Sequence, residues 1–354
     1  MAEKKKKSNG RILLLAPSER SLRPWRSAKQ EMVTRLWGAA PARAFKASAA
    51  TSPAPSTNVV GVGIGEKVTN GLLTGLTAVK FLVRIKYPDD QITDEHRLPP
   101  AVNGLPTDVE EVGTFRRFPA TPAAALPAPA MPNPRVRIRP AQPGCSVGFE
   151  DPNHQFTMAG TFGALVEKDQ KRYILSNNHV LADEDQLPIG APIFQPGLLD
   201  GGNAATDAIA RLSDFKPLAT GGPNSVDCAI AELTDPAAAT NEILYIGAPS
   251  GTTAAKLAME VEKFGRTTGY RVGRVTSIDT DVQVQYDAGL LTFAGQILVE
   301  GVNGQPFSAA GDSGSLILER ASRKAIGLLF AGSVSHTIAN HIEDVLQELG
   351  ITLV

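Results

Sequence analysis

The sequence is poor in cysteine, in aromatic residues and in long apolar runs. Only two cysteines, Cys145 and Cys228, occur among 354 residues, which excludes a disulfide scaffold. A single bridge between them is compatible with the sequence, but two free thiols in a reducing compartment are the simpler prediction. No apolar run approaches the roughly 20 residues that a membrane-spanning helix needs. Hydrophobic residues still make up 42% of the chain, which is enough for a sizeable core, and the length predicts two domains.

Charge is distributed unevenly along the chain. Residues 1–46 carry 12 Lys or Arg against 3 Glu, whereas the remainder carries 23 basic and 33 acidic side chains. A basic segment of this kind can contact nucleic acid, or it can be a solvated tail that docks on its own acidic body. The apolar stretch Ile12 to Ala16 is shorter than the core of a secretory signal. We therefore expect a cytoplasmic location, and the arginines that follow are also compatible with an organelle-targeting peptide.

Composition divides the chain into four parts. Residues 1–55 are predicted to be a basic, disordered tail, and residues 56–118 a small α/β domain of two to four strands. Residues 119–143 hold 8 of the 26 prolines and are predicted to be a stiff linker. Residues 144–354 form the large domain. The small domain could mediate self-association into a homo-oligomer, recruit substrate or cover a cleft.

The large domain is predicted to be mainly β, with an amphipathic helix at its end. Short β-branched runs bounded by Gly, Pro, Asn or Asp are typical of a sandwich or barrel. The predicted strands are 161–166, 171–176, 227–233, 261–264, 272–278, 282–286, 296–299, 315–318 and 325–330. Ile338, Ile342, Val345, Leu346 and Leu349 recur at helical spacing.

One serine is placed like a nucleophile. Ser313 lies between glycines in Gly311-Asp312-Ser313-Gly314, just before an apolar run. A serine hydroxyl needs a base beside it and donors for the oxyanion. The backbone N–H groups of Gly311 and Ser313 are candidates for those donors, forming an oxyanion hole. Taken alone, the four residues could also be an ordinary polar turn.

A base and an orienting acid are found at the ends of two other predicted strands. His179 follows the run that ends at Ser176, and Asp227 lies at the start of the run 227–233. Aspartate is rarely buried without a partner, and an imidazole is such a partner. The other histidines are expected to be structural; they are His96, His154, His336 and His341.

Taken together, these segments resemble the trypsin/chymotrypsin-like serine proteases. The order is His179, Asp227, Ser313, with separations of 48 and 86 residues. More narrowly, residues 175–182 (LSNNHVLA), residues 265–269 (GRTTG) and the N-terminal block are similar to the narrow-leaf-type trypsin-like peptidases of plants and their bacterial relatives. Secreted members often carry Thr-Ala-Ala before the histidine, whereas this chain has Ser176-Asn177-Asn178.

The resemblance implies a double β-barrel with the active site in the cleft between the barrels. It implies a serine endopeptidase that needs no metal or organic cofactor and takes a protein or peptide as substrate. In zymogen-activated relatives, the residue matching Asp312 pairs with an N-terminal amine made by cleavage. No activation site stands out here, so we expect Asp312 to be satisfied by the backbone or a local partner, without an obligatory zymogen step.

The primary specificity pocket is predicted from the same resemblance. Its base falls at Phe307, or at Ser308 if the loop shifts by one, and one wall falls at Phe330, Ala331 and Gly332. No carboxylate or basic side chain lies near this floor, which favours small or medium apolar residues before the cut. In the alternative, Phe307 turns into the core and leaves a deep pocket.

A different class of function is also compatible with the sequence. The protein could be an inactive protease-fold scaffold that binds peptides or partners, with a basic tail that contacts nucleic acid. Labelling by a serine-reactive probe separates the two classes, because a scaffold with a broken site would not react.

Overall fold

The computed structural model describes residues 19–38, 54–69, 71–117, 131–151 and 157–354. Parts of the predicted tail (1–18 and 39–53), residue 118 of the predicted small domain, part of the predicted linker (119–130) and His154 lie outside these ranges. The described helices are α1 (Glu19–Trp37), α2 (Pro55–Asn58), α3 (Asn178–Leu181) and α4 (Ile342–Leu349), with short 3₁₀ turns at Asp89–Gln91, Asp94–His96 and Leu198–Asp200.

Most other elements are strands, so the expected mainly-β fold with a C-terminal helix is confirmed. The first five are β1 (Val59–Thr69), β2 (Leu72–Val83), β3 (Ala101–Val102), β4 (Leu105–Glu111) and β5 (Arg116–Arg117). The next are β6 (Ser146–Phe149), β7 (Gly160–Thr161), β8 (Ala164–Lys168), β9 (Lys171–Ser176), β10 (Pro192–Phe194), β11 (Ala208–Phe215), β12 (Pro223–Asn224) and β13 (Ala229–Leu233). The last are β14 (Glu260–Gly265), β15 (Gly269–Tyr286), β16 (Gly289–Gly301), β17 (Leu316–Glu319), β18 (Ala325–Gly332), β19 (His336–His341) and β20 (Thr352–Leu353).

The strands form two sheets. An 8-stranded sheet has the order β20-β8-β9-β13-β11-β10-β6-β7. The 12-stranded sheet contains a closed ring, because β14, β15, β16, β19, β18 and β17 each pair with the next and β17 pairs back with β14. Buried apolar residues on the inner faces fill both halves. The candidate site lies where the two sheets meet.

The N-terminal strands extend the ring rather than forming a sheet of their own. β1 pairs antiparallel with β15, placing Gly61 opposite Val282, and β2 and β4 continue outward from β1. The run Val59 to Ile64 is fully buried, since it is covered on both faces. The predicted boundaries at 118 and 143 therefore stay predictions, but the strands within 56–118 share a sheet with the large domain.

The predicted tail differs from the structure over α1. Leu22, Ala28 and Met32 are buried on one face of this helix. On the same helix, the Lys29 ammonium lies 2.7 Å from the carboxylate of Asp281 on β15. Residues 19–37 thus have an amphipathic pattern that their net positive charge does not indicate. This part of the tail docks on the acidic body of the protein.

The C-terminal helix forms for the expected reason. Ile342, Val345 and Leu349 are buried at helical spacing, and Gly350 ends the helix with a φ of 62°. It begins later than the spacing suggested, since Ile338 lies in β19. The two strands predicted at 272–278 and 282–286 are one long strand, β15.

Candidate active site

The predicted base and acid lie side by side. Strands β9 and β13 pair antiparallel with Ser176 opposite Ala229, so the residues after β9 lie beside the residues before β13. His179, in α3, places Nδ1 at 2.6 Å from Oδ2 of Asp227. Both side chains are fully buried.

Asp227 is held by further donors as an ionised acceptor. The Tyr286 hydroxyl donates to Oδ2 at 2.6 Å, and the backbone N–H of Asn178 donates to Oδ1 at 2.7 Å. Burial raises the pKa of Asp227, but the histidine and the hydrogen bonds outweigh it and hold the pKa below its ordinary value. Burial and the carboxylate raise the pKa of Tyr286 well above its ordinary value, so the phenol stays a donor.

The second ring nitrogen of His179 is buried and available. Among the described residues, Nε2 has no hydrogen-bond partner. An imidazole whose Nδ1–H is held by a carboxylate presents an acceptor lone pair at Nε2. His179 is therefore oriented as a base.

Ser313 lies in a tight loop before β17 that only glycines can form. Gly311 and Gly314 have φ of 92° and 91°, in the left-handed region that favours glycine. A Cβ at position 311 would also lie 2.5 Å from Nη1 of Arg266. The glycines of the motif thus fix the backbone shape around the serine.

The serine loop abuts the end of β9, close to His179. The Thr161 N–H donates to the carbonyl of Ser313 at 2.8 Å, and the Ser176 hydroxyl donates to the carbonyl of Thr161 at 2.8 Å. The Ser313 hydroxyl itself donates to the carbonyl of Phe330 at 3.4 Å. Ser313 is 0% exposed and His179 1% exposed, so the site is closed in this arrangement. Hydrogen bonds between nucleophile and base often form only when substrate is bound.

Two backbone donors lie next to the serine hydroxyl. Within the described ranges, the N–H groups of Gly311 and Ser313 make no hydrogen bond, although both residues are buried. Buried backbone N–H groups are nearly always paired. Two adjacent unpaired donors are what an oxyanion hole requires before substrate arrives.

Asp312 is satisfied by a local partner, as expected. Its Oδ2 lies 2.9 Å from Nζ of Lys263 and accepts the Thr268 hydroxyl at 2.7 Å, while its Oδ1 accepts the Thr267 N–H at 2.8 Å. Burial raises the pKa of Asp312, but the Lys263 ammonium and the hydrogen bonds outweigh it, and the pKa lies below its ordinary value. An internal lysine supplies the cation that an N-terminal amine supplies in zymogen-activated proteases.

The predicted pocket residues need correction. Phe307 is 1% exposed and packs in the core of the ring, so it does not form a pocket floor. The ring of Phe330 also faces the core, 4.7 Å from the ring of Phe293. Ser308 is buried, and its hydroxyl lies 2.6 Å from that of Thr337. Local sequence could not reveal which way Phe307 turns, because the decision rests on the space left by Gly273 on a distant strand.

Ala331 and Gly332, predicted as a wall of the pocket, directly follow Phe330 on β18, and the Phe330 carbonyl accepts the Ser313 hydroxyl. The edge of this wall is not open, however. Ala331 pairs with Arg117 and Gly332 pairs with Arg116, in antiparallel register. Sequence reasoning missed this contact.

Sequence reasoning also missed Tyr286, Lys263 and the ion pair of Arg266 with Asp200, which are 2.6 Å apart. Only the motif 265–269 carried a signal: its residues position Asp312 and Gly311.

The two cysteines are buried and unbridged, and burial raises the pKa of Cys145 to about 12. Among the described residues, no helix is long and apolar enough to cross a membrane.

Several solved proteases are similar to this chain. Protease A of Thermobifida fusca matches with a TM-score of 0.43 and 19% identity, over 60% of this chain and 97% of the protease. A glutamic acid-specific serine protease, described as using a novel histidine triad in substrate binding, matches with a TM-score of 0.43 and 19% identity, over 60% of this chain and 100% of that protease. The alpha-lytic protease homolog N4 matches with a TM-score of 0.43 and 19% identity, over 60% of this chain and 98% of the homolog.

No protein-family model matches the chain. No curated protein matches it either. The chemistry proposed below therefore rests on the contacts of this chain's own residues.

Proposed function

We propose that the protein is a serine endopeptidase in which Ser313 is the nucleophile, His179 the general base and Asp227 the orienting acid. The observation that carries the proposal is the buried 2.6 Å contact between His179 Nδ1 and Asp227 Oδ2, with Nε2 left without a hydrogen-bond partner among the described residues. A structural histidine would use both nitrogens.

The chemistry follows from these positions. Ser313 Oγ attacks the carbonyl carbon of the scissile bond while His179 Nε2 takes the hydroxyl proton. The N–H groups of Gly311 and Ser313 bind the oxyanion. His179 then gives its proton to the leaving amine, and Asp227 stabilises the imidazolium. Water hydrolyses the acyl-enzyme by the same steps.

Lys263 supports the oxyanion hole indirectly. Asp312 lies between the two oxyanion donors in sequence, and its carboxylate is tied to Lys263 and Thr268. These contacts hold the loop in the conformation that leaves both N–H groups unpaired. Lys263 is thus a positioning residue.

We propose that the residue before the cut is uncharged. The side chains assigned near the pocket are the hydroxyls of Ser308 and Thr337, which bond to each other. Neighbouring His336 already pairs with two glutamates, at 3.2 Å and 2.9 Å. With Phe307 in the core, nothing favours small residues over large ones. A peptide library should show cutting after apolar residues that include Phe and Leu; dominant cutting after Arg, Lys, Asp or Glu would contradict this part.

The burial of Ser313 favours a second candidate, an inactive protease-fold module. A fluorophosphonate probe distinguishes the two. We expect slow labelling of the wild-type chain and of Ser225→Ala, an exposed control serine, and none of Ser313→Ala. Equal labelling of all three would contradict the assignment of Ser313 as the nucleophile. If no variant labels, including Arg117→Ala and Glu184→Gln, the inactive module is favoured.

A further inference from the structure

Strand β5 lies on the edge of β18 that leads to the nucleophile. Along this edge, Leu329 pairs with the serine loop, since Gly314 donates to its carbonyl at 2.8 Å. The next carbonyl, that of Phe330, accepts the Ser313 hydroxyl. Arg117 and Arg116 then pair with the two residues that follow. The other edge of β18 is taken by β19, so β5 occupies the one next to the serine.

This edge is where an extended peptide would bind. A peptide recognised by strand addition gains affinity from main-chain hydrogen bonds and specificity from its side chains. The Phe330 carbonyl accepts the Ser313 hydroxyl, so Phe330 lies beside the serine. If a peptide paired with β18 in the same register as β5, the residue after the one that replaces Arg117 would lie at Ser313. Arg117 therefore stands where a substrate's second residue before the cut would stand.

The Arg117 side chain sits in an acidic site. Its guanidinium forms ion pairs with Glu184 and Asp287, and its side chain is 11% exposed. The Glu184 side chain is 7% exposed and that of Asp287 is 83% exposed. Glu184 also accepts the N–H groups of Asp287 and Ala288, at 3.2 Å and 3.0 Å. The two acids are thus linked to each other and to the turn after β15.

The backbone that presents Glu184 is unusual. Asp183, Glu184 and Asp185 have φ of 50°, 52° and 72°, in the left-handed region that non-glycine residues rarely adopt. Asp185 fixes this turn to the catalytic segment, accepting from the side chain of Asn178 at 2.5 Å and donating back to it at 3.1 Å. Strained backbone of this kind is concentrated at functional sites.

Strand β5 is a short contact. It pairs with β18 over two residues and with β15 at Arg116 alone, opposite Gln285. Arg116 is exposed, and the flanking Gly113 has a φ of 74°. Its anchor is Phe115, which is buried in the core. Residues 116–117 can therefore leave the edge without removing that anchor.

We propose that Glu184 and Asp287 form a subsite for an arginine or lysine side chain at the second substrate residue before the cut, and that Arg117 occupies it in cis as a pseudosubstrate. This inference rests on the proposed function. Substrates reach Ser313 by displacing residues 116–117. The enzyme is then autoinhibited in this arrangement and prefers substrates that reproduce the contact of Arg117.

Two variants of the full chain test the inference. Arg117→Ala removes both ion pairs and Glu184→Gln removes the more buried one, so each should label with a fluorophosphonate about tenfold faster than the wild type, the effect expected for a partly buried pair. Arg116→Ala, the exposed neighbour, should label at the wild-type rate. Circular dichroism verifies that each variant is folded.

The two variants should differ in substrate preference. Arg117→Ala should cleave a peptide with Arg at the second position before the cut about tenfold faster, in kcat/KM, than its Ala counterpart. Glu184→Gln should bring that ratio close to one. Slower labelling of both variants would mean that the pair is only structural and would overturn the inference, as would an Arg preference that survives Glu184→Gln. If wild-type and both variants fail to label, the proposed function itself fails.

Discussion

Lys263 and Asp312 form an ion pair of 2.9 Å in which both side chains are completely buried. Breaking such a pair strands a charge, at a cost of about 3–5 kcal/mol. Lys263→Met should therefore lower the free energy of unfolding by about that amount, and Lys263→Met with Asp312→Asn by less. Denaturant unfolding measures both.

The same variant should impair the oxyanion hole. We expect the labelling rate of Lys263→Met to fall by about 10²-fold, the effect of losing one oxyanion donor. Lys80→Met is the matched control, because Lys80 is also buried and its ion-pair partners, Glu110 and Asp108, lie on β4 rather than in the serine loop. If both variants lose stability but neither loses labelling at a temperature where they are folded, Lys263 does not position the loop.

Tyr286 should matter for rate as well as for stability. Tyr286→Phe removes the hydroxyl that donates to Asp227 at 2.6 Å and keeps the ring stacked 5.6 Å from Phe293. A hydrogen bond to a charged group contributes about 1.5–3 kcal/mol, so kcat/KM should fall about tenfold or more. Tyr270→Phe removes a comparable 2.7 Å bond to Glu262 outside the site. Equal kinetics for the two variants would argue against a role of Tyr286 in orienting the triad.

Stability should fall at alkaline pH through His336. Burial lowers its pKa, but the hydrogen bonds that the ring donates to Glu110 and Glu300 outweigh this and raise the pKa from 6.5 to about 9. Because the folded pKa is the higher one, the contribution is fully present below pH 6.5 and is lost as the pH rises through 9. It is on the order of 3 kcal/mol.

Denaturant unfolding of the wild type and His336→Asn from pH 6 to pH 10 measures that contribution. The gap between them should be widest at pH 6 and should close by pH 10. His96→Asn is the control, since His96 lies 3.8 Å from the exposed Glu95. A gap that is constant with pH would mean that His336 contributes by packing rather than by charge.

The parts of the site that short motifs carry could be predicted. His179 and Asp227 each follow or precede a strand, and Ser313 lies in a glycine loop, so local pattern placed all three at strand ends. The mainly-β fold and the C-terminal helix follow from the same local patterns. The contact between His179 and Asp227 comes from the pairing of β9 with β13.

The rest depends on contacts between distant parts of the chain. Arg117 and Ala331 pair across 214 positions, and no local pattern marks a two-residue strand. Nothing in the local sequence distinguishes Lys263 from other charged residues, because its burial against Asp312 depends on the fold. Helix α1 could not be predicted from the net positive charge of residues 1–46, which suggests a solvated tail. Its apolar face is seen only when the residues are placed at helical spacing. Phe307 was assigned by offset from Ser313, and only the packing of the ring shows where it turns.

The central claim is that Ser313 is activated by His179 as one unit. The most direct test is kcat/KM on a cleaved peptide for the wild type, Ser313→Ala, His179→Ala and the double variant, with Ser225→Ala as control. Each single variant should lose about 10⁴-fold or more, and the double variant should lose little beyond that. Turnover of Ser313→Ala within about tenfold of the wild type, or losses that multiply in the double variant, would contradict the account.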